Sequence, residues 1–91
     1  MQDKNFREYL EQSGQFTQKS ITSRVAKANA AERIIGCSLD VVVSDDDKMY
    51  DSLVELQKHE DSKHNPMQNA VRKYYIFKNG KEFPQLRYYK R

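Results

Sequence analysis

The sequence predicts an all-α protein, a bundle of four helices followed by a basic, aromatic C-terminal tail, and three observations carry that prediction. Apolar residues recur every three or four positions in separate stretches. The three glycines, Gly14, Gly36 and Gly80, each follow such a stretch, where a left-handed residue stops a helix. Residues with capping side chains stand where the stretches begin. With 91 residues, 37% apolar and 32% charged, the chain is enough for one small domain over residues 1–80 with a tail over 81–91. A core of this size recruits nearly every large apolar side chain and leaves few to line a ligand pocket.

The first stretch, Asp3 to Ser13, sets Phe6, Tyr9, Leu10 and Ser13 on one face before Gly14. The second opens at Thr17, whose hydroxyl can cap free amides, with Phe16 and Ile21 at the two positions of a hydrophobic staple. Ile21, Val25, Ala28, Ala31 and Ile35 then repeat to Gly36, while Ala26, Ala28, Ala30 and Ala31 raise helix propensity and allow a neighbouring helix to approach closely. Leu39-Asp40-Val41-Val42-Val43 has β-branched residues that suit a strand but no partner strand, and reads as an irregular or single-turn connector. Ser44 is expected to cap a third helix whose first turn, Asp45-Asp46-Asp47, sets three carboxylates against the positive end of the helix dipole. Met49, Tyr50, Leu53, Val54 and Leu56 give it an apolar face, and it fades around His59 to Asp61. After a loop over 62–64, Asn65 and Pro66 mark a cap and a first helical proline, and Met67, Ala70, Val71, Tyr74 and Phe77 form the stripe of the fourth helix. Pro84 argues against continued helix in the tail.

Charge is segmented. Residues 1–39 carry six basic and four acidic groups, residues 40–61 two and eight, and residues 62–91 eight and one, which gives segments of +2, −6 and +7 within a net charge of +3. A polyanion would therefore meet the first and last thirds, with the acidic middle turned away. No apolar run is long enough to span a membrane and the N-terminus is charged from its third residue, so a cytoplasmic protein without membrane contact is expected. The single Cys37 has no internal disulfide partner.

Catalytic and metal chemistry find no foothold in these residues. The stretch Asp45 to Asp51 lacks the glycine a calcium loop needs at its sixth position, where Tyr50 stands, and Met49 replaces an oxygen ligand. His59 and His64 are five residues apart, off the spacing of a helical metal pair, and suit an exposed loop. Cys37 has no neighbouring histidine and reads as a buried, unreactive thiol. No glycine-rich phosphate loop exists. No cofactor, metal, small-molecule substrate or enzymatic activity is expected.

The polar face of the second helix is more informative. Lys19, Ser20, Ser23, Arg24, Lys27 and Asn29 set cations and short hydrogen-bonding groups side by side, with no acid before Glu32. Serine, asparagine and lysine can dock on a phosphate backbone, while Arg24 and Lys27 can reach guanine edges in a major groove. The fourth helix adds Gln68, Asn69, Arg72, Lys73 and Lys78, and the tail adds Lys81, Arg87, Lys90 and Arg91. Tyr88 and Tyr89 lie among these tail cations, placed either to pack on the domain or to touch backbone sugars.

The phrases FREYLEQSG, FTQKSITSRVAKANAAERIIG, MYDSLVELQKHE and NPMQNAVRKYYIFKNG together resemble, over nearly the whole chain, the N-terminal SAM-like core-binding domain of phage-type integrases, the tyrosine recombinases. That family has a phrase of the type S/T-x-x-T-I-x-S-Y, here Thr17 to Arg24, and a later one like N-x-x-R-K-Y-x-x-F, here Asn69 to Phe77. Arg24 stands where the family often has tyrosine, and the acidic third segment is stronger than the family suggests. The resemblance implies a four-helix SAM-like bundle that grips one face of duplex DNA with its second and fourth helices. The contacts it implies are Lys19, Ser20, Ser23, Arg24, Lys27, Gln68, Arg72 and Lys73, which coincide with the faces found from charge. The recombinase reaction belongs to a separate catalytic domain for which these 91 residues have no room, so Tyr88 and Tyr89 are not read as its nucleophile. The expectation is a non-catalytic domain that binds double-stranded DNA, whether a fragment of a larger DNA enzyme or a stand-alone relative. The alternative is a small phage or mobile-element protein-interaction module that docks on a larger enzyme as its protein partner, through its acidic third helix and exposed parts of the tail.

Overall fold

A computed structural model describes residues 1–61 and 63–90; Ser62 of the expected loop and the tail cation Arg91 lie outside the described residues. The chain is an all-α bundle of α1 (Asp3–Gln12), α2 (Gln18–Ile35), α3 (Leu39–Val43), α4 (Asp46–Gln57) and α5 (Pro66–Asn79), followed by a 3₁₀ turn at Leu86–Tyr88. No strand occurs among the described residues, and no helix among them is long and apolar enough to cross a membrane.

Helix α1 buries Phe6 and Leu10, one turn apart. Helix α2 begins where the Thr17 hydroxyl accepts the Ser20 amide at 3.1 Å and ends at Gly36, whose φ of +85° is natural only for glycine and whose N–H donates to the Glu32 carbonyl. Ala28 and Ala31 face the core, while Ala26 is exposed. Their small side chains let α5 lie close, and α2 against α5 is the most extensive helix pairing in the bundle.

Among the described residues the α-helices number five rather than four, because residues 39–43 form a helical turn of their own, the single-turn form of the expected connector. Ser38 caps it by accepting the Asp40 amide, and Leu39, Val42 and Val43 are buried at helical spacing, so burial overrides the strand preference of valine. Ser44 terminates this turn, donating its hydroxyl to the Val41 carbonyl at 2.7 Å, and the cap of α4 is Asp45, which accepts the amides of Asp47 and Lys48. Asn65 sits at the N-cap of α5, but its side chain accepts no backbone amide of the helix. Glu60 supplies the cap instead, accepting the amides of Met67 at 2.5 Å and Gln68 at 3.3 Å. Cys37 is half-buried, less enclosed than the sequence suggests.

The centre of the core is aromatic. Tyr74 of α5 is fully buried, edge-on to Phe6 of α1 at 5.1 Å, and its hydroxyl donates to Asp40 of α3 at 2.5 Å while accepting the Gln2 amide at 3.0 Å. Beside it, Glu32 accepts the amino group of Met1 at 2.8 Å and the Leu39 amide at 2.8 Å, joining α2 to the segment before α1 and to α3. Burial would lower the pKa of the Met1 amine, but its hydrogen bond to Glu32 and the charges of Glu32, Asp40 and Asp3 outweigh it and raise the pKa. The tail completes the core. Phe83 is 4% exposed and edge-on to Tyr75 at 5.2 Å. Tyr89 stacks on Tyr50 at 5.4 Å and donates its hydroxyl to Asp47 at 2.8 Å, whereas Tyr88 is 64% exposed.

Two outcomes follow from these contacts. Asp45→Ala should cost about 1 kcal/mol in urea denaturation, and Ser44→Ala about half that or less, because only Asp45 caps α4. Burial and then the hydrogen bond to Asp46 push the Tyr75 phenol up to about 12. Below pH 10, the ordinary tyrosine value, folded and unfolded chains both hold this proton and the contribution is intact. Between 10 and 12 only the unfolded chain releases it, so stability should fall over that interval, and less steeply in Tyr75→Phe.

Candidate nucleic-acid interface

The exposed face of α2 and the N-terminal half of α5 enclose a groove. Lys19, Ser20, Ser23, Arg24 and Lys27 line one wall and Pro66 and Asn69 the other, around a volume of about 370 Å³. The depression continues along α5 past Arg72, Lys73 and Ile76 to Glu82 at the start of the tail. Helical spacing explains the alignment, since residues 20, 23, 24 and 27 lie on one face of α2, and Asn69, Arg72 and Lys73 on one face of α5.

Seven of the eight residues predicted from the sequence fall along this depression, and Gln68 lines a neighbouring pocket between α5 and the tail; they do not share equal freedom. Lys19, Ser20, Ser23 and Lys27 are exposed, whereas Arg24, Arg72 and Lys73 are half-buried. Gln68 is only 6% exposed, and its amide donates to Glu60 and to Asn65, each at 3.3 Å. That side chain serves the start of α5 before any external partner. Arg72 donates through Nη1 to the carbonyls of Phe83 at 2.9 Å and Pro84 at 3.2 Å, and lies 5.8 Å from the Phe83 ring, so it also fastens the tail.

Phe16, placed just before α2, organises the cations. The Arg24 guanidinium lies 5.0 Å from its ring centroid and the Lys73 ammonium 5.6 Å, so one ring attracts a charge from each wall. This attraction offsets part of the repulsion between them. Burial lowers the pKa of Arg24 and Arg72 from the ordinary guanidinium value, and the Glu82 charge pulls Arg72 partly back. Arginine's basicity keeps both charged near neutral pH. Arg24 Nε is buried and has no hydrogen-bond partner among the described residues. Lys19, Arg24, Lys27, Arg72 and Lys73 make no ion pair among the described residues. None of the acids of α4 lines the groove, and Glu82 is the one carboxylate that does among those residues.

Such an arrangement attracts anions and offers short donors at their oxygens. Among the described residues no group of three or more His, Cys, Asp and Glu side chains is gathered for a metal ion. His59 and His64 are exposed beside Glu55 at 3.6 Å and Asp61 at 3.7 Å. Sequence reasoning did not single out Phe16 or Glu82 for this groove, and Asn69 appeared only as one of several polar residues on its helix. Asn69 had a signal, three and four residues before Arg72 and Lys73 on one helix face. Phe16 and Glu82 had none, because only the folded chain brings them to α5. Comparisons with protein-family models, curated proteins and solved structures find no match to this chain.

The division of labour between Gln68 and Asn69 is open to measurement. Gln68→Ala should lower stability by about 1 kcal/mol through its lost buried hydrogen bonds, and exposed Asn69→Ala by about 0.5 kcal/mol or less, both read by urea denaturation.

Proposed function

We propose that this chain is a non-catalytic duplex-DNA-binding domain of the integrase core-binding type, which holds the phosphate backbone in the groove between α2 and α5. The observation that carries the reading is the convergence of Lys19, Arg24 and Lys27 with Lys73 around one groove lined by Ser20, Ser23 and Asn69, with none of the α4 acids in it. Hydroxyl, amide and cationic donors along two helices suit phosphate oxygens, which fix position on a duplex and carry little sequence information. Base readout through Arg24 or Lys27 is secondary in this reading, because Arg24 is already held against Phe16.

Duplex is preferred to single-stranded nucleic acid on the same grounds. Single strands are held by stacking bases on open aromatic faces. The groove's nearest ring, Phe16, is half-buried and engaged by two cations. The described tail tyrosines do not line the groove either.

Fluorescence anisotropy of a labelled random-sequence duplex at about 50 and about 200 mM salt tests this, since several phosphate contacts produce a steep loss of affinity with salt. The double variant Arg24→Ala/Lys27→Ala should retain its helical circular dichroism and lose about two units of the log–log salt slope. Absence of binding at the lower salt, or a slope unchanged by the double substitution, would overturn the reading.

A further inference from the structure

The tail does two things to the groove at once. It engages Arg72 Nη1 with the carbonyls of Phe83 and Pro84, and it brings Glu82 to the end of the groove beside Arg24, Asn69, Arg72 and Lys73. An end-on, forked grip on a phosphate uses both terminal nitrogens of a guanidinium, and here one is committed to the tail. Glu82 is also the one acidic residue in the otherwise basic last third of the chain. The tail is fastened at its far end by Tyr89, which stacks on Tyr50 and donates to Asp47 of the acidic helix. Among its described residues the only regular structure is one 3₁₀ turn, closed by the Tyr88 amide to Gln85 and the Tyr89 amide to Leu86.

We infer that residues 81–90 form a displaceable strap that competes with a polyanion for Arg72, with Glu82 as the charge that favours the closed position. The inference rests on the duplex-DNA reading and adds regulation to that site. Competition of this kind is reciprocal: a bound duplex loosens the strap to the same degree that a loosened strap favours the duplex. Anything that draws the tail away, including a protein that takes its exposed Tyr88 and cations, then raises affinity for the backbone.

The test compares the whole chain with Glu82→Gln, Tyr89→Ala and the control Glu11→Gln, which makes the same charge change on α1 outside the groove. Duplex affinity is read by anisotropy at about 50 mM salt, and exchange of the backbone amides at positions 88 and 89 by NMR with and without duplex. Glu82→Gln should bind about threefold tighter, the effect of one exposed charge beside a phosphate, and the control less. Tyr89→Ala, which leaves the groove's charges untouched, should also tighten binding. Both amides should exchange faster when the duplex is bound. Glu82 is exposed, so its variant keeps the test available if loss of Tyr89 unfolds the tail or the domain. Amide exchange unchanged or slowed by a bound duplex would overturn the strap and leave the DNA reading standing. Absence of binding by all four chains would overturn the DNA reading and the strap with it.

Discussion

The bundle depends on satisfying the hydroxyl of a tyrosine in its centre. Tyr74 is fully buried, so its polar atom needs partners or forfeits a desolvation cost of about 1–3 kcal/mol. The partners are Asp40 of α3 and the amide of Gln2 before α1, which obliges three segments remote in sequence to meet at one atom. Phe6 and Phe77 then pack around the ring at 5.1 and 5.4 Å. Burial and the bond to Asp40 raise the pKa of this phenol, so it stays protonated wherever the fold is intact near neutral pH. With α5 fixed there, the close seat of α2 on its other side follows from the alanines of α2.

That seat creates the groove and its electrostatic tension together. Two helices brought close by small residues also bring their basic faces close, and the repulsion is met by aromatic rings, with Glu82 the one carboxylate at the groove's end among the described residues. Phe16 faces Arg24 and Lys73, and Phe83 faces Arg72. A carboxylate at those positions would have neutralised the groove, whereas a ring holds the cations in place and leaves their charge available. The acidic groups do structural work elsewhere: Asp45 and Glu60 cap helices, Asp46 and Asp47 accept tyrosine hydroxyls, and Glu32 and Asp40 tie helices together.

Local signals made much of this legible in advance. The C-terminal ends of α1, α2 and α5 follow from glycines and the start of α2 from its Thr17 cap, signals that act within one turn, and the basic faces follow from periodicity. The details that local signals left open depend on contacts across the chain. Leu39, Val42 and Val43 already stand at helical spacing, but the β-branched valines competed with it, and burial against the other helices decided the outcome. Ser44 and Asp45 are both good caps, and the choice fell to Asp45 because Ser44 is used to end α3. Glu60 reaches the start of α5 across a loop, and Gln68 looks like a surface residue until Glu60 and Asn65 enclose it. The groove's cations were readable one helix at a time, while Phe16 and Glu82 entered it only through the third dimension.

The meeting of Gln2 with Tyr74 also bears on how the chain is made. A ribosome releases residues in order, and α1 to α4 emerge before the helix that carries Tyr74, Phe77 and Val71. Until α5 appears, Phe6 lacks its aromatic neighbours and Asp40 its phenol, so the nascent helices have no finished centre to settle on. Folding is thus deferred until α5 has emerged, and a transcript cut short before α5 would yield a chain with exposed apolar surface, open to aggregation and to the proteases that clear such chains.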